Sequence, residues 1–444
     1  MKVIVIGGVA AGMSAASKIR RSRYQSEVTV YEKGGTLSYG ACGLPYYVGD
    51  EIKDYEKMII RTKDDFEKIG ININLYHEVI GLDENNKKVI VKNLLTGDIF
   101  EDNYDKLLIS TGAKPIIPPW LGVDHPMVKT LSTIEDGIQI KSELFKDDVK
   151  DIVIIGAGFI GVELVEAAGN LGKNVTLIEY KNQILPHLDK EMAADLQEEL
   201  KKNKVNVKTG ERVLELDSRN EGIKVVTDKN CYNADLVILS IGVRPNTDFL
   251  EGTSIKRINN GAILVDKEMK TSVEDIYSAG DCATIFNRVK DRLDVYIPLG
   301  TNANKQGRLA GSAIIGERTR YIGTLGTSMI KVFDMEGAKT GLSEQEAILE
   351  NYDYKTVTIK SLNHAPYYPN PQPIKIKLIV ERKTKKILGA QAVGYAGTAL
   401  RINTFALAIH TGIPVDELGW VDFGYAPPFA EVWDAIHIAC NAVK

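Results

Sequence analysis

The chain has 444 residues, 44% hydrophobic and 26% charged, enough to bury the cores of two or three domains and too apolar for a disordered protein. Its net charge of −4 gives no electrostatic reason to expect nucleic acid as a partner, and no apolar run reaches the roughly 18–20 residues of a membrane span. The cysteines, at 42, 231, 282 and 440, form neither a disulfide framework nor a metal-ligand spacing, so a reducing cytoplasm and no metal site are expected.

Residues 2–6 are a β-branched apolar run that reads as a buried strand leading through a glycine turn into a helix. The N-terminus superficially resembles a secretion signal. Against that, Gly7, Gly8 and Gly12 stand at functional spacing, and a charged helix with Lys18, Arg20, Arg21 and Arg23 follows. A second strand at 27–31 ends in Glu32. The pattern then returns: a strand at 152–155, the turn Gly156-Ala157-Gly158-Phe159-Ile160-Gly161, a helix, and a strand at 174–178 ending in Glu179. Two further segments, 105–112 and 235–242, are near-copies: a buried strand closed by a small residue and glycine, Gly112 and Gly242. Prolines at 115, 118 and 119 mark a boundary, and Arg244-Pro245-Asn246 marks a second crossing. Beyond about residue 320 the glycine loops stop. Alternating strands at 374–380 and 387–393, then helices near 398–411 and 429–442, indicate a terminal α+β domain.

A glycine turn between strand and helix lets backbone N–H groups approach a pyrophosphate, and the acid ending the next strand accepts from ribose hydroxyls. The first loop, Gly7 to Gly12, has Val9 where the middle glycine usually stands, while Glu32 restores the pattern. The second loop matches in full at Gly156, Gly158, Gly161 and Glu179. A glycine turn without a ligand is the bland alternative for either loop alone. Two loops with correctly placed acids outweigh it.

Cys42 lies about ten residues beyond Glu32 with no second cysteine nearby. If redox-active, its oxidised form must be a sulfenic acid or a mixed disulfide with an external thiol. Pro45 suits the first turn of a helix, which places Cys42 just before a positive dipole end and predicts a lowered thiol pKa. The alternative is a buried structural cysteine, the role expected for Cys231, Cys282 and Cys440.

The two near-copy segments and Ala279-Gly280-Asp281 resemble the closing motifs of two-dinucleotide flavoproteins. Over essentially its whole length the chain resembles the pyridine nucleotide–disulfide oxidoreductase superfamily. That resemblance implies an α/β fold with two Rossmann-like dinucleotide-binding domains plus a C-terminal α+β dimerisation domain. FAD would occupy residues 1–112 and 245–320, NAD(P)H 113–244, and the dimer interface 321–444. FAD contacts would fall on Gly7, Gly12, Glu32, Thr111, Gly112 and Asp281; those of the nicotinamide nucleotide would fall on Gly156, Gly158, Gly161, Glu179 and Gly242. Glu179 would repel a 2′-phosphate by roughly 4 kcal/mol at 4 Å if the effective dielectric is about 20. Lys173 and Lys181 would offset part of this, so NADH is expected ahead of NADPH.

The two-cysteine motif and C-terminal His–Glu pair of the superfamily's disulfide reductases are missing. The single-cysteine branch holds NADH peroxidases, NADH oxidases and coenzyme A-disulfide reductases, and the segment from Ser38 to Tyr46 looks most like the last. Peroxidases and water-forming oxidases place a histidine in the first glycine loop, where this chain has Ala10 and Ala11. By the same resemblance, Tyr368 and Tyr425 would be catalytic and Tyr367 substrate-binding, all reaching the opposite subunit's site. Coenzyme A contacts would fall on Lys18, Arg21, Ser38, Asn304 and Arg308; Ala41 departs from the polar residue of some relatives. Buried tyrosines and solvated charges are the structural alternatives. The implied enzyme is a homodimer that passes electrons from NAD(P)H through FAD to Cys42, resolving coenzyme A disulfide, or a related persulfide, through a Cys42–S–S–CoA intermediate. The rivals are an NADH oxidase using a Cys42 sulfenic acid and a non-catalytic redox-sensing flavoprotein.

Overall fold

The computed structural model describes residues 1–22, 26–217 and 222–443; Arg23 lies outside them. The first helix, Ala10–Arg20, ends at its last turn of basic residues.

Three five-stranded sheets organise the chain. The first is all parallel, in the order Ile276–Ser278, Lys106–Ile109, Lys2–Ile6, Glu27–Glu32, Ile71–Leu75. The second repeats that design as Asn206–Thr209, Asn174–Glu179, Asp151–Ile155, Leu236–Leu239, Val128–Thr130. The central strands of both are buried and apolar after their first residue, because helices cover one face and an antiparallel meander packs on the other, which leaves no solvent side for polar residues. Each sheet also carries a three-stranded antiparallel meander, His77–Asp83, Lys88–Asn93, Ile99–Asn103 in the first and Val213–Asp217, Ile223–Thr227, Cys231–Ala234 in the second. The short strands Ala113–Pro115 and Val243–Pro245 pair antiparallel, so the chain enters and leaves the second unit side by side.

The third sheet is antiparallel, in the order Ser328–Val332, Met335–Gly341, Ile387–Gly394, Pro373–Glu381, Tyr354–Leu362, with helix Thr398–Thr411 against it. The last helix, read from sequence as starting near 429, begins at Ala435. Asp434 caps it by accepting from Ile436 N at 2.9 Å, and Arg401 grips the same carboxylate at 2.8 and 2.9 Å. That clamp fixes Asp434 in a non-helical conformation and leaves Pro427 and Pro428 in the preceding loop.

Two contacts position the site. Helix Gly300–Ile314 lies backbone to backbone on the first helix: a Cβ at Gly307 would stand 2.1 Å from Ala11 O, and one at Gly311 2.8 Å from Ala15 O. Between the second and third units, Lys377, 2% exposed, bonds Asp189 at 2.9 Å together with Glu191 and Glu344. Gln391 donates to Asp189 at 2.7 Å. These three acids form the one cluster with metal-ligand geometry among the described residues, and the Lys377 ammonium is bonded to all of them.

Candidate active site

The two glycine loops are built alike. Gly7 (φ +100) and Gly156 (φ +102) occupy the left-handed region, and Cβ atoms there would lie 2.3 Å from Ser110 O and 2.4 Å from Ser240 O. At Gly12 and Gly161 a Cβ would meet the loop's own first carbonyl at 1.8 and 1.9 Å. The fold itself demands these four glycines. Gly158 is different, because a Cβ there meets nothing within 4 Å. Its equivalent in the first loop is Val9.

Each strand-end acid folds back along its loop. Glu32 accepts from Gly8 N at 2.6 Å and Gly34 N at 2.7 Å; Glu179 accepts from Ala157 N at 2.8 Å and Lys181 N at 2.7 Å. A carboxylate has about four lone-pair sites, so both acids retain acceptors for ribose hydroxyls. Ser110 Oγ and Ser240 Oγ donate to the loop carbonyls at 2.7 Å (Ile6 O) and 2.8 Å (Gly156 O). These serines were not singled out from sequence, although they occupy the same place in the two near-copy segments. Lys173, expected beside Glu179, is instead at the far end of the strand Asn174–Glu179, where Nζ donates to Val149 O at 2.6 Å. A strand of that length separates its ends by almost 20 Å, about 3.3 Å per residue. Lys173 therefore cannot offset the Glu179 charge.

The first unit fits a dinucleotide. A cleft of about 290 Å³ is lined by Gly7, Glu32, His77, Thr111, Asn246 and Phe249, among others. Thr111 Oγ1 donates to Asn246 O at 2.7 Å, and Gly112 (φ +65) follows with nothing near its absent side chain. Asp281 Oδ1 is buried with no hydrogen-bond partner, and burial pushes its carboxyl up to about 6. A buried acceptor of this kind calls for a donor. The ribityl hydroxyls of FAD are donors of the right type. Gly280 N, bonded to Gln306 Oε1 at 3.0 Å, and Tyr296, donating to Asp281 O at 3.0 Å, hold the Asp281 loop in place.

Cys42 sits in the 3₁₀ turn Ala41–Gly43 that runs into helix Leu44–Val48, with Pro45 in the first turn. Its Sγ is 3.6 Å from where a Cβ on Gly300 would stand, beside the start of helix Gly300–Ile314. The thiol is exposed, yet its pKa is raised, not lowered as expected from the helix N-terminus. Desolvation by the surrounding walls is the main cause, followed by the charges of Glu163 and Asp281; a backbone hydrogen bond opposes them. A helix of one turn has few aligned dipoles with which to compete.

Glu163 escaped the sequence reading. It lies on the second glycine-loop helix, Phe159–Asn170, which packs on the Cys42 side so closely that a Cβ on Gly49 would lie 3.0 Å from Ala167. Burial and then Glu166 push Glu163 up to about 7, against a hydrogen bond from Tyr46. The signal available in sequence was a pair of acids three residues apart on a helix with an otherwise apolar face.

The close packing of helices Ala10–Arg20 and Gly300–Ile314 puts Lys18, Arg21, Asn304 and Arg308 on neighbouring surfaces that lead away from Cys42, with Lys18 against Gly311. Ser14 Oγ donates to Asn304 Oδ1 at 2.7 Å, linking the two helices at a position not foreseen. Lys18 pairs with Glu317 at 2.8 Å, Arg21 Nε turns back to Ser17 O at 3.1 Å, and Arg308 is exposed. Ser38 holds φ 51 at the mouth of the turn, and its N–H donates to Gly8 O at 2.9 Å. The tyrosines lie in the third unit. Tyr367 and Tyr425 join hydroxyl to hydroxyl, which raises the Tyr425 pKa, whereas Tyr368 sets its ring edge-on to buried His364 with 5.4 Å between centroids. Of the remaining cysteines, Cys282 and Cys440 are buried and Cys231 is exposed on a meander strand.

Two parallel sheets, each with a phosphate-type glycine loop and a ribose-type acid, define a two-dinucleotide oxidoreductase. Residues 1–307 match the family model described as pyridine nucleotide-disulphide oxidoreductase, and residues 327–436 match that family's dimerisation domain. The chain belongs to this family; it is an oxidoreductase that works with FAD and NAD(P)H. It is 39% identical to the CoA-dependent NAD(P)H sulfur oxidoreductase of Pyrococcus furiosus, over 100% of this chain and 99% of that one. To a coenzyme A disulfide reductase of Staphylococcus aureus it is 31% identical over 98% of each chain. The NADH-bound structure of the water-forming NADH oxidase of Lactobacillus brevis superposes with a TM-score of 0.96 at 31% identity, covering 100% of this chain and 98% of that one. Among the described residues, no helix is long and apolar enough to cross a membrane.

Proposed function

We propose that the protein is a homodimeric reductase of coenzyme A disulfide, or of a related coenzyme A persulfide, that uses Cys42 as its sole redox sulfur. The observation that carries this reading is the surface formed where the first helix meets helix Gly300–Ile314. It starts at Cys42 and continues past Ser14, Asn304, Lys18, Arg21 and Arg308, a polar and cationic path suited to the phosphates of coenzyme A. The relatives named for sulfur and coenzyme A chemistry support the substrate class.

In this mechanism the Cys42 thiolate attacks one sulfur of the disulfide. The Cys42–S bond to coenzyme A forms, the original S–S bond breaks, and one coenzyme A leaves as thiolate. Tyr425 of the partner subunit would donate a hydrogen bond to that thiolate as it leaves, because its own hydrogen bond with Tyr367 raises its pKa and keeps it a phenol. FAD, when bound, would supply the two electrons that reopen the mixed disulfide, with NAD(P)H as their source. Asp281 would hold the ribityl chain, Glu32 the adenosine ribose, and Gly158 would make room for the nicotinamide nucleotide's pyrophosphate. Ala10 and Ala11 offer no acid–base group for peroxide, which favours sulfur over oxygen as the acceptor.

Mass spectrometry of the non-reduced protein tests this reading. A coenzyme A adduct on Cys42, released as free coenzyme A on anaerobic addition of NADH, is the expected result. A Cys42 sulfenic acid, with turnover of oxygen but none of coenzyme A disulfide, sinks it and favours the oxidase.

A further inference from the structure

We infer that Arg212, braced on Tyr180, forms a 2′-phosphate seat that lets the second unit accept NADPH despite Glu179; this rests on the placement of the nicotinamide nucleotide at the second glycine loop. Tyr180 follows Glu179 directly at the end of strand Asn174–Glu179 and is 62% exposed. The Arg212 guanidinium lies 5.0 Å over that ring and donates to the Tyr180 hydroxyl at 3.3 Å. Backbone bonds register the two segments: Glu211 N donates to Glu179 O at 3.0 Å and Gly210 N to Lys181 O at 2.7 Å. Arg212 N is itself anchored on Asp228 at 2.9 Å. The cation is therefore held beside the acid that reads the ribose, although 32 residues separate Glu179 from Arg212 in sequence.

Other charges around it agree. Lys181 and Lys229 are exposed on the same rim, and Lys229 Nζ would lie 3.8 Å from a Cβ on Gly210. Among the described residues no carboxylate forms an ion pair with the side chain of Lys181, Arg212 or Lys229. Glu179, for its part, already accepts from Ala157 N and Lys181 N, and each N–H offsets part of its negative field. A planar guanidinium fixed on an aromatic face keeps donors free for a phosphate, and less rotamer freedom is lost on binding it. The buried Glu211, one residue away, is satisfied by Thr227 at 2.6 Å and Tyr232 at 2.8 Å, so it does not compete for Arg212.

Calorimetric titration of the FAD-loaded protein with ADP-ribose and with 2′-phospho-ADP-ribose tests the seat without turnover. Arg212→Ala should weaken the phosphorylated ligand tenfold or more while changing ADP-ribose less than twofold. Tyr180→Phe, which keeps the ring and removes only the hydroxyl, should weaken the phosphorylated ligand by a smaller factor in the same direction. Equal losses for both ligands in Arg212→Ala, or no loss for either, overturn the inference while leaving the nucleotide site itself intact. Failure of the wild type to bind ADP-ribose at all would remove the underlying placement, and the inference with it.

Discussion

Gly158→Ala separates what the fold needs from what the ligand needs. An added Cβ meets no atom within 4 Å, and the backbone at φ −77, ψ −167 is open to any L-residue. Replacing glycine removes unfolded-state freedom, a gain of about 0.4–1 kcal/mol. Gly158 is also the helix N-cap, where alanine is the poorer choice by several tenths of a kcal/mol or more. The two effects oppose, so thermal melting of the nucleotide-free protein should move little. A pyrophosphate seated on the loop approaches this backbone directly, and the new methyl would stand in its way. Affinity for NADH, measured by titration with FAD bound, should fall tenfold or more, about 1.4 kcal/mol. FAD content should not change, because Gly158 caps the helix of the second loop and the flavin is assigned to the first. Wild-type NADH affinity in a normally folded variant would refute the seat.

Three further perturbations probe other parts of the molecule. Glu163, pushed up to about 7, is largely ionised above that pH and holds the Cys42 pKa up; alkylation of the reduced enzyme should therefore titrate above the ordinary thiol value of about 8.5. Glu163→Gln should move that midpoint down, and an upward or absent shift contradicts the coupling. Lys377→Met removes the cation bonded to Asp189, Glu191 and Glu344 and should cost about 3–5 kcal/mol in denaturant unfolding. Asp189→Asn added to it should recover part of the loss, and no recovery would place the lesion elsewhere. Finally, a mixed dimer of one Cys42→Ser chain and one Tyr425→Phe chain concentrates both lesions in one site if the tyrosine serves the partner. Such dimers should keep about half the wild-type activity, given that each lesion alone slows its site at least tenfold, about 1.4 kcal/mol; collapse to single-mutant levels argues against sharing.

The framework was legible because it repeats and because it is local. A strand, its glycine loop and its terminal acid fall within about thirty residues, and close packing leaves only glycine at positions such as Gly12 and Gly161. What sequence did not reveal depended on contacts between distant segments. Glu163 acquires meaning only when helix Phe159–Asn170 is laid against Leu44–Val48, and the direction of the Cys42 shift reverses for the same reason. Lys173 looked close to Glu179 because five residues separate them in sequence, but a strand sends those residues to opposite ends. The tyrosine pairing was hidden likewise: Tyr367 and Tyr368 are adjacent, and only the fold shows which hydroxyl meets Tyr425 and which ring meets His364.

Helix Phe159–Asn170 joins these observations physically. Its first turn belongs to the second glycine loop, where Phe159 stacks on His187 with 4.3 Å between centroids. One turn on, Glu163 raises the Cys42 pKa. The next acid, Glu166, is buried, pairs with Lys331 and accepts from Phe333 N at 2.8 Å, tying the helix to the third sheet. Nucleotide loop, Cys42 and dimerisation domain are therefore registered on one element whose charges interact, since Glu166 also raises Glu163. Neutralising Glu166 would relieve Glu163 electrostatically but leave Lys331 without its partner. The position of the helix and the ionisation of the thiol cannot be varied independently in this architecture.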